Sequence, residues 1–520
     1  MSGSSDSRYL MGIDVGTSFV KTVLLDLDGD EIFVAGERNA VESVQPGWAE
    51  QDMMLLWEIT KKTVRAVMSR SAVPPEAVTA VGITGQGDGT WLIGRDGNPV
   101  RRALIWLDGR TGDVVSRWHV DGTNHEVFKQ TGTVLTPGHQ SSQLYWLDKA
   151  EPESLAKAKA VLHAKDWIFF KFTREITTDE SEASYTFFDI RNNRYSDRVF
   201  EILGIERWRH LIPPAHPSCE NIGELDGDIA REIGLLPGTP VASGPVDVAA
   251  TAIGAGALYE GDGCSVIGTA GIHQIVMDEP LTEPPDVGYT LCYGPPGKWL
   301  RMLPTMACTS NLEWFIRHFC WEDIQEAGRL EMDSWNYLEQ IAERVPIGSE
   351  GVIYHPYIDP AGERVPFVKP SARAQFLGLS SFHTRHHLLR AVYEGVALSA
   401  LDCYSYMPKE IRVIRLAGGG AKSRFWAQMF ADVTGKATWT LVGTEFGAKG
   451  AAINAGVAVG AYRGFEDALE RTVKVSREYH PVPERTERYR RMYEVYRETY
   501  RLMWGVWDRS MHPVFMDNLV

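Results

Sequence analysis

Met11-Gly12-Ile13-Asp14-Val15-Gly16-Thr17-Ser18-Phe19-Val20-Lys21-Thr22-Val23-Leu24-Leu25-Asp26 reads as strand, tight turn, strand. Leu10 to Ile13 is an apolar run that ends on a carboxylate. Gly16-Thr17 permits a turn, and Phe19 to Leu25 is rich in β-branched residues. Such a turn exposes successive backbone N–H groups, which can cradle a phosphate. Asp14 could then hold a metal ion beside the phosphate, with Thr17 and Lys21 contacting its oxygens. The same residues also describe a plain β-hairpin with a polar tip, and this stretch alone supports both readings.

Working outward, Asp28-Gly29-Asp30 turns the chain into a third strand near Glu31 to Glu37, and Asp52 to Arg70 has the pattern of an amphipathic helix. Val78 to Thr84 reads as a strand ending in the loop Gly85-Gln86-Gly87-Asp88-Gly89-Thr90. Trp91 to Val100 reads as a hairpin turning at Asp96-Gly97. Strands alternating with helices imply an α/β domain. The pattern restarts near Gly238: a strand over Pro240 to Ser243, then Gly244-Pro245-Val246-Asp247, then a helix from Val248 to Leu258. Cys264 to Val276 repeats strand, Gly268-Thr269 turn, strand, which points to two similar half-chains. Further on, a helix is expected over Leu388 to Tyr406 and a strand over Ile411 to Leu416. The turn Ala417-Gly418-Gly419-Gly420-Ala421 then opens a helix near Ser423. A Gly- and Ala-rich helix is expected over Phe446 to Tyr462, and Glu484 to Trp507 reads as a half-exposed last helix.

The 520 residues are too many for one core, so two or more domains are expected. A net charge of −15 without a long basic run argues against nucleic acid or an anionic membrane as the main partner, though not against a nucleotide. The six cysteines are scattered without a CxxC pair, which suggests neither a disulfide framework nor a zinc site and fits a reducing cytoplasm. Met1 to Ser7 is polar without an apolar signal core. No run of roughly 18 apolar residues marks a membrane span.

Two Gly-Thr hairpins, one per half, could grip a polyphosphate from opposite sides of a cleft. The third element, Leu416 to Ala421, removes side chains where a flat ring or a phosphate can approach the backbone. A lone triple glycine is usually a plain turn. The three elements in this order form the pattern of the actin-like ATPase fold, shared by sugar kinases, actin and a class of chaperones. Neither a Walker A motif nor a dinucleotide-binding GxGxxG is present.

From about Tyr9 to about Tyr462 the chain resembles the FGGY carbohydrate kinases. The matching stretches are Gly12 to Ser18, Pro46 to Asp52, Ile83 to Gln86, Val266 to Gly271, Phe376 to Leu379 with His387 to Gly395, and Ala417 to Ser423 with Phe425 to Met429. The resemblance implies an α/β fold of two ribonuclease-H-like (actin-like ATPase) domains with an interdomain cleft. Residues 8–250 would mainly bind sugar or polyol, residues 251–480 would mainly bind ATP, and residues 481–520 would form a docked C-terminal helix. It also implies that Asp247 is the base that takes the proton of the attacking hydroxyl; as a residue type, Asp247 would equally suit a helix cap. Asp14 would orient Mg²⁺. Thr17, Ser18, Lys21, Gly268 and Thr269 match phosphate-side positions, and Gly418, Gly419 and Ser423 match adenosine-side ones.

The acceptor loop departs from the glycerol and xylulose kinases. Where those carry Arg-Glu or Met-His, this chain has Gly87-Asp88, of which Asp88 can accept two hydroxyl hydrogen bonds and Gly87 leaves room or offers only backbone. Trp106 could lie against a sugar's carbon face or be an ordinary core aromatic. Val248 replaces an Asn or Gln, Gly138 replaces a Tyr with His139 beside it, and Lys449 stands where the family has a small or apolar residue. Gly85 to Leu92, Leu162 to Trp167 and Thr178 to Ser184 look most like erythritol kinases, whereas Gln45 to Asp52 and Asn311 to Phe315 look as close to L-xylulose kinases. The expected partners are ATP with Mg²⁺ and a small hydroxylated acceptor, with a homodimer as the candidate assembly. The acceptor is first erythritol, then L-xylulose, D-xylulose or another ketopentose or pentitol. A non-sugar actin-like ATPase would need neither the Gly85 to Trp91 loop nor a base at Asp247. A catalytically dead sugar sensor would not need to retain Asp14, Thr17, Thr269 and Asp247.

Overall fold

The computed structural model describes residues 8–510; Met1 to Ser7 and residues 511–520 of the C-terminal segment lie outside the described residues. The opening stretch is a hairpin: Tyr9–Val15 runs antiparallel to Phe19–Asp26, with Asp14 opposite Lys21. Glu31–Arg38 pairs outside it and alternates half-buried with exposed residues, as an edge strand with one wet face does. On the other side Tyr9–Val15 lies parallel to Val78–Gly85, which lies parallel to Pro240–Ser243; Ile222–Glu224 closes the sheet antiparallel. Val78–Gly85 is buried almost throughout, as a central parallel strand must be.

The pattern then repeats. Asp262–Ile267 pairs antiparallel with Gly271–Met277 and parallel with Val413–Ala417; Ala437–Leu441 follows in parallel and Val475–Tyr479 antiparallel. Both hairpins thus feed the same order of parallel strands, which is the internal repetition expected from the two Gly-Thr turns. The chain forms two compact units. One comprises the chain up to Glu260 with Val276–Arg301 and Val442–Lys474. The other comprises Gly261–Ile275, Met302–Leu441 and the chain from Val475 on.

In the first unit the helix Phe446–Ala458 packs on Tyr9–Val15, Val78–Gly85 and the helix Asp247–Gly254. The contact is backbone to backbone. A Cβ at Gly12 would overlap the carbonyl oxygen of Ala448, one at Gly82 that of Ala451, and one at Gly450 that of Ala250. Only glycine fits at those three crossings. Both small-residue helices are shorter than their apolar runs, because Gly256 and Gly460 take left-handed backbone just beyond their ends. Lys449, unexplained from the sequence, is buried on this helix and donates to the Thr472 carbonyl at 2.6 Å. That carbonyl ends the helix Phe465–Thr472, where a cation is favoured. Burial lowers its pKa, with Glu31 opposing.

In the second unit the helix Pro483–Ser510 buries Tyr489, Tyr496, Tyr500 and Trp507 along one face, while most of its arginines stay exposed. All six cysteines are free thiols. Among the described residues no helix is long and apolar enough to cross a membrane.

Gly12→Val forces a side chain into the Ala448 carbonyl. It is expected to lower stability by about 3 kcal/mol or more, read as a fall in the denaturant midpoint. An unchanged midpoint would refute backbone contact at this crossing.

Candidate active site

In the first unit Asp14 and Asp247 stand at the carboxyl ends of parallel strands, the edge of an α/β sheet where ligands bind. Asp14 is half-buried. Its Oδ1 is enclosed without a hydrogen-bond partner, and its Oδ2 would lie 2.7 Å from a Cβ at Gly447, in the first turn of Phe446–Ala458. Burial pushes its carboxyl up to about 6, Lys21 pulling down and Glu445 pushing up. Asp247 is also half-buried. It is the first residue of its helix rather than the cap, and its Oδ1 accepts its neighbour Val248's N–H at 2.7 Å. Burial, then the nearby Asp14 charge, pushes it up to about 7. Two crowded carboxyls, one with an orphaned oxygen, suit a cation at Asp14. Among the described residues no group of three or more His, Cys, Asp or Glu could hold a metal. Its other ligands would therefore be water and substrate oxygens, as Mg²⁺ prefers.

The Gly16-Thr17 turn is wired to the acceptor loop. The Thr17 hydroxyl donates to Gln86 Oε1 at 2.8 Å and accepts from the Trp106 indole N–H at 2.8 Å. Gln86 donates to Gln51 at 2.7 Å, and Gln51 returns to the Thr17 carbonyl at 2.8 Å. Ser18 is exposed at the tip. Lys21 is ion-paired with Glu445 at 2.6 Å. The Thr17 hydroxyl is thus spent on Trp106 and Gln86, while Ser18 stays exposed.

Asp88 sits in left-handed backbone at φ 62°, a conformation Asp tolerates better than most residues. Its carboxylate is buried, accepts the Gln140 N–H at 3.3 Å and lies 3.2 Å from His139 Nε2. Burial pushes its pKa well up, with the Gln140 amide opposing. A Cβ at Gly87 would lie 2.6 Å from Val246 Cγ2, so the space beside it is filled and only its backbone is on offer. Gly138 carries no side chain because its backbone packs on the Trp106 carbonyl.

Three residues here escaped the sequence reading. Glu182 is fully buried and accepts the Asp88 N–H at 2.7 Å. The Tyr185 ring lies 6.2 Å from that of His139 and 5.9 Å from that of Tyr289. Burial pushes the Tyr185 hydroxyl well up, and Asp247, Asp88 and Glu182 add to it. Beneath them Lys165 donates to Asp166 at 2.8 Å and pairs with Asp179 at 2.9 Å. Burial opposes its charge, yet the two carboxylates hold its pKa above the ordinary lysine range. Glu182 and Lys165 fall in the two stretches that carry the resemblance to erythritol kinases; nothing in their spacing marked them as site residues.

In the second unit a cavity of about 690 Å³ is bounded by Gly268, Thr269, Gly419, Gly420, Ser423 and Trp335. Thr269 is exposed at the second hairpin's tip, and Gly419 has open space beside its Cα. Gly418 ends the strand before them. Thr309, opening the helix Thr309–Phe319, donates through its hydroxyl to the Gly268 carbonyl at 2.8 Å. Ser423 caps the next helix by accepting the Trp426 N–H at 2.9 Å. Backbone, Trp335 and charged side chains that include Glu339, Lys422 and Arg424 thus frame a space wide enough for a nucleoside.

Known proteins share this architecture. The model of the FGGY family of carbohydrate kinases, N-terminal domain, matches residues 9–254, and that of the C-terminal domain matches residues 263–459. Erythritol kinase of Brucella abortus is 34% identical over 508 residues, 96% of this chain and 97% of that protein. L-xylulose/3-keto-L-gulonate kinase of Escherichia coli is 31% identical over 473 residues, 89% of this chain and 90% of that protein. The structure of a ligand-bound xylulose kinase from Lactobacillus acidophilus matches with a TM-score of 0.87 at 22% identity, covering 96% of this chain and 99% of that one, and so shares the fold. With family models across both halves and relatives aligned over nearly its whole length, this chain belongs to the FGGY family of carbohydrate kinases.

Proposed function

We propose that this kinase transfers the γ-phosphoryl group of ATP to a hydroxyl of a small polyol, erythritol being the first candidate. The observation that carries the reading is Asp247. Its Oδ1 accepts the Val248 N–H at 2.7 Å, and burial with the nearby Asp14 charge pushes its carboxyl up to about 7. That matches a base that accepts a hydroxyl proton near neutral pH. The acceptor hydroxyl donates to the Asp247 carboxylate, its oxygen attacks the γ-phosphorus as the bond to the β,γ-bridging oxygen breaks and ADP leaves, and Asp247 keeps the proton. Asp88 and His139 orient the remaining hydroxyls, and Trp106, held by Thr17, lines the acceptor's path. The adenosine side lies against Gly418, Gly419 and Ser423, with the Gly268-Thr269 turn toward the phosphates. Asp14 would hold Mg²⁺, which when bound neutralises phosphate charge.

Erythritol rests on the 34% identity to the Brucella abortus enzyme over 96% of this chain. The second reading, a ketopentose such as L-xylulose or D-xylulose, draws on the 31% identity to the L-xylulose/3-keto-L-gulonate kinase. Six free thiols support the expected reducing cytoplasm.

Asp247→Asn is expected to lower kcat by roughly 10²–10⁴-fold or more while ATP still binds in calorimetry; near-wild-type turnover would sink the base assignment. Asp88→Asn keeps a residue that accepts left-handed backbone, so the thermal midpoint should hold. The acceptor KM should rise roughly tenfold or more with the ATP KM unchanged. An unchanged acceptor KM would remove Asp88 from the site. ADP release over tetritols, pentitols and ketopentoses decides between substrates: erythritol should give the highest kcat/KM, and turnover confined to ketopentoses would overturn the polyol reading.

A further inference from the structure

Glu182 has a buried oxygen with nothing to do. Its Oε1 accepts the Asp88 N–H at 2.7 Å, which also pins the left-handed turn of the acceptor loop. Its Oε2 is enclosed and makes no hydrogen bond. A buried acceptor left in that state is uncommon and calls for a partner. The nearby basic side chains already have partners. Lys165 is tied to Asp166 and Asp179, His163 Nδ1 lies 3.0 Å from Asp166, and His139 lies against Asp88. His163 Nε2 is 3.9 Å from Glu182 Oε1 and contacts Gln140 at 3.0 Å. Gly87 and Tyr185 stand beside it: a Cβ at Gly87 would lie 3.4 Å from the Tyr185 ring and 3.5 Å from Glu182 Oε1.

We propose that Glu182 Oε2 accepts a hydroxyl hydrogen bond from the acceptor and that, with Asp88 and Asp247, it makes the site select uncharged polyols over sugar acids. This rests on the polyol-kinase reading above. A neutral polyol supplies the missing donor. A substrate carboxylate would instead meet three carboxyl side chains and no uncommitted cation, and charge buried without a partner is strongly disfavoured. The distinction matters because a relative is named for both L-xylulose and 3-keto-L-gulonate.

The test compares wild type, Glu182→Gln and Glu182→Asp on erythritol and on erythronate, its aldonic acid, or on the corresponding pair for whichever neutral substrate the panel yields. Gln can still accept the Asp88 N–H, so the midpoint and the ATP KM should stay put. Wild type should prefer the neutral substrate by roughly a hundredfold or more, the span of a charged group left unpaired. Glu182→Gln should raise the neutral acceptor's KM about tenfold, leave kcat within about twofold and narrow the neutral-to-acid ratio about tenfold, by the same conversion. Glu182→Asp, which keeps a carboxyl, should preserve that ratio. The proposal is overturned if wild type phosphorylates the acid as well as the neutral substrate. It is also overturned if Glu182→Gln leaves KM and ratio unchanged, or if midpoint and kcat fall while the ATP KM rises with them, which marks a purely structural role. A wild-type enzyme that turns over ketopentoses but no polyol would fail the substrate reading instead, and Glu182 is then judged on the ketopentose pair.

Discussion

Backbone-to-backbone contact between one helix and three other elements holds the first unit together. Phe446–Ala458 crosses Tyr9–Val15 at Gly12, Val78–Gly85 at Gly82 and Asp247–Gly254 at Gly450, and at each crossing a single methyl group would strike a carbonyl oxygen. Dispersion falls off within an ångström, so approach this close secures attraction without large side chains. It also leaves little freedom to shift: the strand that carries Asp14 and the helix that begins on Asp247 are both clamped by the same helix. A site that must hold reacting groups within a fraction of an ångström gains from such a scaffold.

The electrostatics at this edge of the sheet run against stability. Asp14 and Asp247 raise their own proton affinity through burial, and Asp14 raises that of Asp247 further. Asp88 and Glu182 are buried more deeply still. A protein selected for stability alone would replace several of these carboxyls with apolar residues. Perturbed groups gathered at one edge are what a site of proton transfer and hydroxyl recognition requires. The compensation is local: Lys165 sits between Asp166 and Asp179, so these three deeply buried charges are paired.

The fold was legible because it is written twice. Two Gly-Thr hairpins, each followed at a distance by parallel strands, are short-range patterns, and short-range patterns survive in one dimension. Asp14 drew notice as a carboxylate at a strand end before a Gly-Thr turn, and Asp247 through the resemblance to the family. Glu182, Tyr185 and Lys165 were not legible, because their meaning comes from residues 94 positions away (Glu182 to Asp88) and 78 away (Lys165 to Ser243). Lys449 looked anomalous for a similar reason: the carbonyl it serves belongs to a helix end that comes later in the chain.

The sequence by itself determined the α/β class, the repeated hairpins, the Gly-rich turn and the likeness to sugar kinases, since each depends on the period of apolar residues or the placing of glycines along the chain. Tertiary structure alone decided that Thr17 spends its hydroxyl on Gln86 and Trp106, that Gly87 is walled in by Val246, and that Glu182 keeps one oxygen unsatisfied beside Asp88. Hydrogen-bond satisfaction and steric room are properties of a packed volume, and a linear chain has neither until it folds.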